Sequence, residues 1–307
     1  MKFDILSGLV TEAGPHAESV FERFVMMEPL ALQRMLTERQ ARDVQAIDMS
    51  AGPAADMEKY GLLRLQGRTA VVPFVGLANK RLHAPPYLAS YIATSAAVRA
   101  AAADKRVDAI LLKVDSPGGY VSGIADAADD IRAAAQTKPV IAQIDGLGAS
   151  AAYWIASQAT EVYAGRLDEV GSIGVIGVLY DVSKAFADAG IKTEVFATGK
   201  YKWTGVTGTE LSDDQREYLQ QGVDELGDAF IADVARGRRV AEEDIRKVAD
   251  GRVFSARDAH KYKLIDGIRT YADSLALLEA TSKRDRALRS ARLDVAREKL
   301  AQAQKKC

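Results

Sequence analysis

A chain of 307 residues with 48% hydrophobic and 27% charged side chains has enough apolar material for one substantial core plus appendages, and is not a wholly disordered polymer. Its formal net charge of −1 offers no global field to nucleic acid or an anionic membrane, and its single cysteine, Cys307, excludes an internal disulfide and a cysteine-based metal cluster. No stretch reaches the roughly 18 uninterrupted apolar residues of a membrane span, and the start, with an early acid at Asp4, lacks the apolar run of a secretion signal, so a soluble cytoplasmic protein is expected.

Residues 1–60 read as a helical N-terminal arm, from Val20, Phe21, Phe24 and Val25 and then Leu30, Leu32, Met35 and Leu36, ending in the loop-like Ser50-Ala51-Gly52-Pro53. From Thr69 short apolar runs alternate with helical stretches. Strands are predicted at Ala70–Val75, Ala109–Val114, Val140–Ile144, Glu161–Ala164 and Lys192–Ala197, with helices near Tyr87–Ala103, near Ile124–Ala135 and from Ser150. Such alternation predicts an α/β core with largely parallel strands over 61–280. Residues 281–307 read as a basic helical or disordered tail: positions 282–307 carry nine Lys or Arg against three acids, a net +6 on a body of −7. A solvated helix or a partner-docking segment both fit that tail.

The central motifs carry the chemistry. Asp115-Ser116-Pro117-Gly118-Gly119 closes an apolar strand, and its two glycines let backbone N–H groups point at a ligand, as an oxyanion hole requires. A plain tight turn is the competing reading. Ser150, thirty-one residues beyond Gly119, stands at a strand-to-helix transition among small neighbours, where it suits either a nucleophile or a helix N-cap. The three histidines, His16, His83 and His260, lie outside any glycine-rich or strand-end setting, which argues against a Ser-His-Asp triad. A lysine held neutral is the alternative base, and Lys200 and Lys202 both follow the predicted strand Lys192–Ala197. Ser172, in Gly171-Ser172-Ile173-Gly174, could orient the amine or be an ordinary buried serine.

As an ordered set these motifs, with Thr198-Gly199-Lys200-Tyr201-Lys202 and the late Gly251-Arg252-Val253-Phe254-Ser255, resemble the signal peptide peptidase A family of Ser/Lys peptidases over roughly residues 65–275. The resemblance is nearest to its phage head maturation, or capsid assembly, branch, because no membrane anchor is legible and Glu28-Pro29-Leu30 resembles the front end of the phage enzymes. It implies a core like the Clp protease and crotonases, built from repeated β-β-α units. It also implies Ser150 as nucleophile, Lys202, three residues after Gly199, as general base, Ser172 as the serine orienting the lysine, and amides of Gly118, Gly119 and Ala151 at the oxyanion. No metal or organic cofactor is implied. The implied partners are protein substrates (scaffold, portal or capsid proteins, or the protease itself) and further copies in a homo-oligomer, in host cytoplasm or within the procapsid; neither nucleic acid nor membrane is expected. Two departures stand out: Ser150-Ala151-Ala152 where many relatives have Ser-Gly-Gly, and Trp203 where many have Asp. A soluble housekeeping relative of signal peptide peptidase, a crotonase-like acyl-CoA enzyme and a non-catalytic capsid component are the alternatives.

Overall fold

The computed structural model describes residues 24–27, 54–80 and 88–304. His16, His83, Cys307, Glu28-Pro29-Leu30 and most of the expected N-terminal arm therefore lie outside the described residues.

Two sheets share one helical layer. The larger is built on β3 (Thr69–Val75), β6 (Ala109–Ser116) and β8 (Val140–Ala149), parallel to one another in the order β8-β6-β3, with β2 (Arg64–Gln66) added antiparallel at one side. Their sequences are continuous apolar runs because both faces are covered, as parallel strands require. The first half of β8 also pairs in parallel with β9 (Glu161–Ala164), and its second half with β10 (Glu169–Gly171), which β12 (Val253–Ser255) extends antiparallel. The smaller sheet runs β11-β1-β7-β4-β5 and contains β1 (Phe24–Met27), β4 (Leu77–Asn79), β5 (Leu88–Ser90), β7 (Gly118–Tyr120) and β11 (Ile176–Gly177).

The implied β-β-α repeat is visible twice. β3 leads through β4 and β5 into α2 (Tyr91–Ala103), and β6 leads through β7 into α3 (Ile124–Thr137); each unit places one strand in the large sheet and the next in the small one. Ile124, Ala127, Ala128, Ile131 and Ala134 put one face of α3 into the core at helical spacing. α2 starts at Tyr91, later than its apolar pattern begins, because Leu88–Ser90 pair with β4 and the Ser90 hydroxyl accepts from the Ala93 N–H. α1 (Ala54–Lys59) inserts Met57, 2% exposed, into the same core.

Two predicted elements take another form. Phe24–Met27, read as part of a helical arm, is a strand in the small sheet: β-branched and unbranched apolar residues in a four-residue run do not fix a period, and strand partners decide. Lys192–Ala197 is not a strand, because among the described residues no strand lies alongside to take up its backbone groups. It belongs to a segment of residues 178–211 that holds only the short α5 (Ser183–Asp188).

Beyond this segment α6 (Asp213–Arg238) opens with a reciprocal Ser212/Gln215 capping box. Next come α7 (Glu242–Arg246), α8 (Ala256–Lys261) and β13 (Gly267–Ile268), the last beside β9. The terminal helix, α9 (Tyr271–Gln304), starts ten residues before the basic tail predicted from charge. Its first turns are core: Ser274 and Leu278 are buried against the outer face of the large sheet, and Ser274 Oγ donates to Gln143 Oε1 at 2.5 Å.

Candidate active site

The site is assembled by strand register. Within the β6/β8 pair, Val114 faces Ile144 and Ser116 faces Gly148, so Asp115 stands opposite three residues, Asp145, Gly146 and Leu147. This bulge is held by the Asp115 carboxylate, which accepts from the Leu147 N–H at 3.2 Å, and by Gly146 at φ +120°, where a Cβ would meet Asp115 Oδ1 at 2.8 Å. Downstream, Ser116 and Gly148 leave the sheet side by side, bringing Gly118 and Ser150, each two residues further, to the same edge. On the other side Gly171 faces Ala149, so Ser172 and Ser150 emerge together.

Ser150 does not cap its helix. It has φ 55° and ψ −124°, a conformation costing a non-glycine residue about 1–3 kcal/mol, and its side chain makes no cap bond to α4 (Ala151–Ala156). The main chain is pinned instead: its N–H donates to Gly171 O at 2.7 Å and its carbonyl accepts from Trp154 N at 2.9 Å. The residue is 0% exposed, yet Oγ has no hydrogen-bond partner among the described residues. A buried hydroxyl without a partner is costly, so a reacting group or a further side chain belongs there. α4 is itself fixed. Tyr153 OH donates to Leu264 O at 2.7 Å, Trp154 stacks on Phe230 at 4.7 Å, and Trp154 Nε1 donates to Asp233 at 2.8 Å.

The glycines opposite Ser150 are required by space. A Cβ on Gly119 would lie 1.8 Å from Ala78 O, because β7 and β4 pair there. Gly118 adopts φ +99° and donates its N–H to the buried Ser116 Oγ at 3.2 Å. That leaves Gly119 and Ala151 as the better candidate oxyanion donors, Ala151 being the first residue of α4, where a helix leaves its N–H groups without internal partners. Ser116 and Asp115 were not singled out by sequence reasoning as positioning residues; their places within Asp-Ser-Pro-Gly-Gly were the available signal.

Ser172 shares the strain of Ser150, with φ 50° and 4% exposure, and its N–H donates to Arg252 O at 2.7 Å. The two lysines differ sharply. Lys200 pairs with Asp214, whose hydrogen bond raises the ammonium pKa above 10.5, so Lys200 is held charged. Lys202 is exposed on a turn in which its N–H donates to Gly199 O at 3.0 Å, and it makes no hydrogen bond to Ser150 within the chain. The register thus gathers Ser150, Ser172, Gly118, Gly119 and Ala151, and leaves Lys202 outside hydrogen-bonding reach. No group of His, Cys, Asp and Glu suited to a metal ion occurs among the described residues.

The model of peptidase family S49 matches residues 132–285, half of the chain, spanning Ser150, Ser172 and Lys202. The chain belongs to peptidase family S49. Among S49 relatives, capsid assembly protease C of Escherichia phage lambda is 30% identical over 68% of this chain and 48% of its own length. Protease 4 of Salmonella typhi is 32% identical over 60% of this chain and 30% of its own, and the chloroplastic serine protease SPPA of Arabidopsis thaliana 29% over 59% and 27%. The chain thus spans less than half the length of each of these three relatives. A crystal structure of an enoyl-CoA hydratase/isomerase family member is similar at a TM-score of 0.43 and 14% identity, over 72% of this chain and 75% of that one. No helix among the described residues is long and apolar enough to cross a membrane.

Proposed function

We propose that this S49 chain is a serine endopeptidase in which Ser150 is the nucleophile and Lys202 the general base, acting on phage scaffold, portal or capsid proteins or on itself during procapsid maturation. The observation that carries the reading is the buried Ser150 Oγ, without a partner among the described residues, on strained backbone beside Gly118 and Gly119. Strain and an unsatisfied hydroxyl are costs that folding alone does not explain. Lys200 is unsuited to the base role because Asp214 keeps it charged.

Lys202 is supplied in this reading by a neighbouring copy. It sits on the 178–211 segment, which leaves Tyr180 68%, Ile191 53% and Phe196 93% exposed. Large apolar side chains left in water on one segment are the kind of surface a partner covers. Docking that segment over the Ser150 edge of the next subunit would take the amine out of water and bring it to the serine hydroxyl, as a lysine acting as base requires. A homo-oligomer is therefore part of the proposal.

The chemistry is acyl transfer. Neutral Lys202 takes the Ser150 proton while Oγ bonds to the scissile carbonyl carbon, and the oxyanion is held by the Gly119 and Ala151 amides. The C–N bond breaks as the lysine returns the proton to the departing nitrogen. Water then cleaves the ester, giving the new carboxyl group and restoring the serine. The likeness to capsid assembly protease C supports a capsid substrate. The test is mass spectrometry of the unsubstituted and Ser150→Ala chains co-expressed with candidate scaffold and portal proteins. Cuts that vanish with Ser150→Ala are expected, and identical cuts in both would sink the assignment.

A further inference from the structure

One strand from the N-terminal region has no structural task in the two β-β-α units, and it lies beside the site. β1 runs between β7 and β11 and is antiparallel to both. Val25, Met26 and Met27 face Tyr120, Gly119 and Gly118, while Phe24 and Val25 face Gly177 and Ile176. Both neighbours are anchored on the strands that frame Ser150. β7 starts two residues after Ser116, the partner of Gly148, and β11 starts four residues after Ser172, which follows the partner of Ala149.

β1 therefore fills a slot whose two walls are extended backbone, with Gly118 and Gly119 of β7 opposite its carboxyl end. Its direction matters. Running from Phe24 to Met27, the chain approaches Gly118 from the Tyr120 side, so its carboxyl end arrives at the candidate oxyanion amides. A protein substrate acylating Ser150 has to present an extended segment with this polarity, because the carbonyl under attack lies at the carboxyl end of the segment held. Strand addition of this kind supplies affinity through the main chain, largely independent of side chains. The occupant is also tethered, since residues 28–53 join Met27 to α1.

We propose that Phe24–Met27 is a resident peptide in the substrate slot, bound as the acyl side of a substrate is bound, and that an external protein chain has to displace it. The proposal rests on the peptidase reading for what the slot is for, and on strand register alone for what fills it. A tethered segment competes at an effective concentration on the order of millimolar, enough to suppress weak, nonspecific substrates while admitting those concentrated within an assembly.

The experiment uses the full chain carrying Ser150→Ala, so that no result depends on hydrolysis. A fluorescein-labelled peptide of residues 22–28 is titrated by anisotropy into this protein and into the same protein with Val25→Pro and Met26→Pro, which remove strand N–H donors. Binding about ten-fold or more tighter to the proline variant is expected. Equal affinities, or no binding to either, would overturn the proposal. Should the proline variant fail to fold, deuterium uptake at Phe24–Met27 in the Ser150→Ala chain is compared with and without excess unlabelled peptide. Uptake should rise on addition, and unchanged uptake would refute residence. Ser150-dependent hydrolysis accompanied by equal affinities removes the resident peptide and leaves the peptidase. Proline-dependent binding without hydrolysis in the unsubstituted chain does the reverse.

Discussion

The Ser150 edge and the Lys202 segment are opposite kinds of structure within one chain. Around Ser150, Ala149, Ala151, Ala152 and Tyr153 are all 0% exposed, and parallel strands on either side dictate every backbone position. The 178–211 segment has one short helix and leaves Phe196 93% in water. Among the described residues the first region lacks a partner for the Ser150 hydroxyl. The second holds an amine and an unburied apolar surface. Each lacks what the other offers, and this complementarity underlies the shared-site proposal.

The sharpest break of that comparison is complementation. Ser150→Ala and Lys202→Ala should each lower hydrolysis of a protein substrate by a factor on the order of 10⁴ or more, and mixing the two inactive proteins should restore activity. A mixture that stays inactive after subunit exchange would place nucleophile and base in the same subunit. Next in size is the rigidity of the Ser150 edge. Gly119→Ala forces a Cβ to 1.8 Å from Ala78 O and should cost about 3 kcal/mol in chemical denaturation, with hydrolysis lost as well.

The contrast extends to pH. Arg238, with its side chain 5% exposed, donates to both Asp266 oxygens at 2.9 Å, and the Val162 N–H donates to Asp266 Oδ2 at 2.6 Å. Burial pushes the Asp266 carboxyl up, but the Arg238 hydrogen bonds and charge, the Val162 N–H and the Arg239 charge together outweigh it, so the pKa lies below the usual 3.8. A depressed carboxyl contributes stability that is present above its unfolded value and is lost as pH falls through the folded one. Arg238→Met should lower stability by about 3 kcal/mol at neutral pH and flatten this acid limb in thermal melts followed from pH 6 to pH 2. Smaller still, Phe196→Ser should weaken subunit association about ten-fold in sedimentation while leaving the melt of the Ser150 core unchanged. Lys200→Ala should change kcat/KM less than about two-fold, since the Lys200–Asp214 pair is exposed.

Much of the Ser150 edge was legible in residue order. Apolar runs located β3, β6 and β9 to within two residues and the first half of β8, because a strand buried on both faces leaves few other options for its sequence. Ser-Pro-Gly-Gly announced a turn of glycine conformation, which Gly118 adopts at φ +99°, while the close approach of Gly119 to Ala78 was not legible. The Lys202 segment was read less well. Lys192–Ala197 has strand composition, but propensity yields to pairing, and no strand among the described residues lies alongside it. Phe24–Met27 erred in the other direction: two neighbours distant in sequence made a strand of residues assigned to a helix.

Sequence by itself determined the parallel α/β core, the order of the motifs and the short set of candidates, Ser150, Ser172, Lys200 and Lys202, because those follow from local composition and spacing. Tertiary structure alone decided that Ser150 is strained and that its Oγ has no hydrogen-bond partner among the described residues, that Asp214 claims Lys200, and that β1 lies between β7 and β11. The physical reason is distance along the chain: burial, ion pairing and strand register depend on groups tens to more than a hundred residues away, which no local pattern encodes.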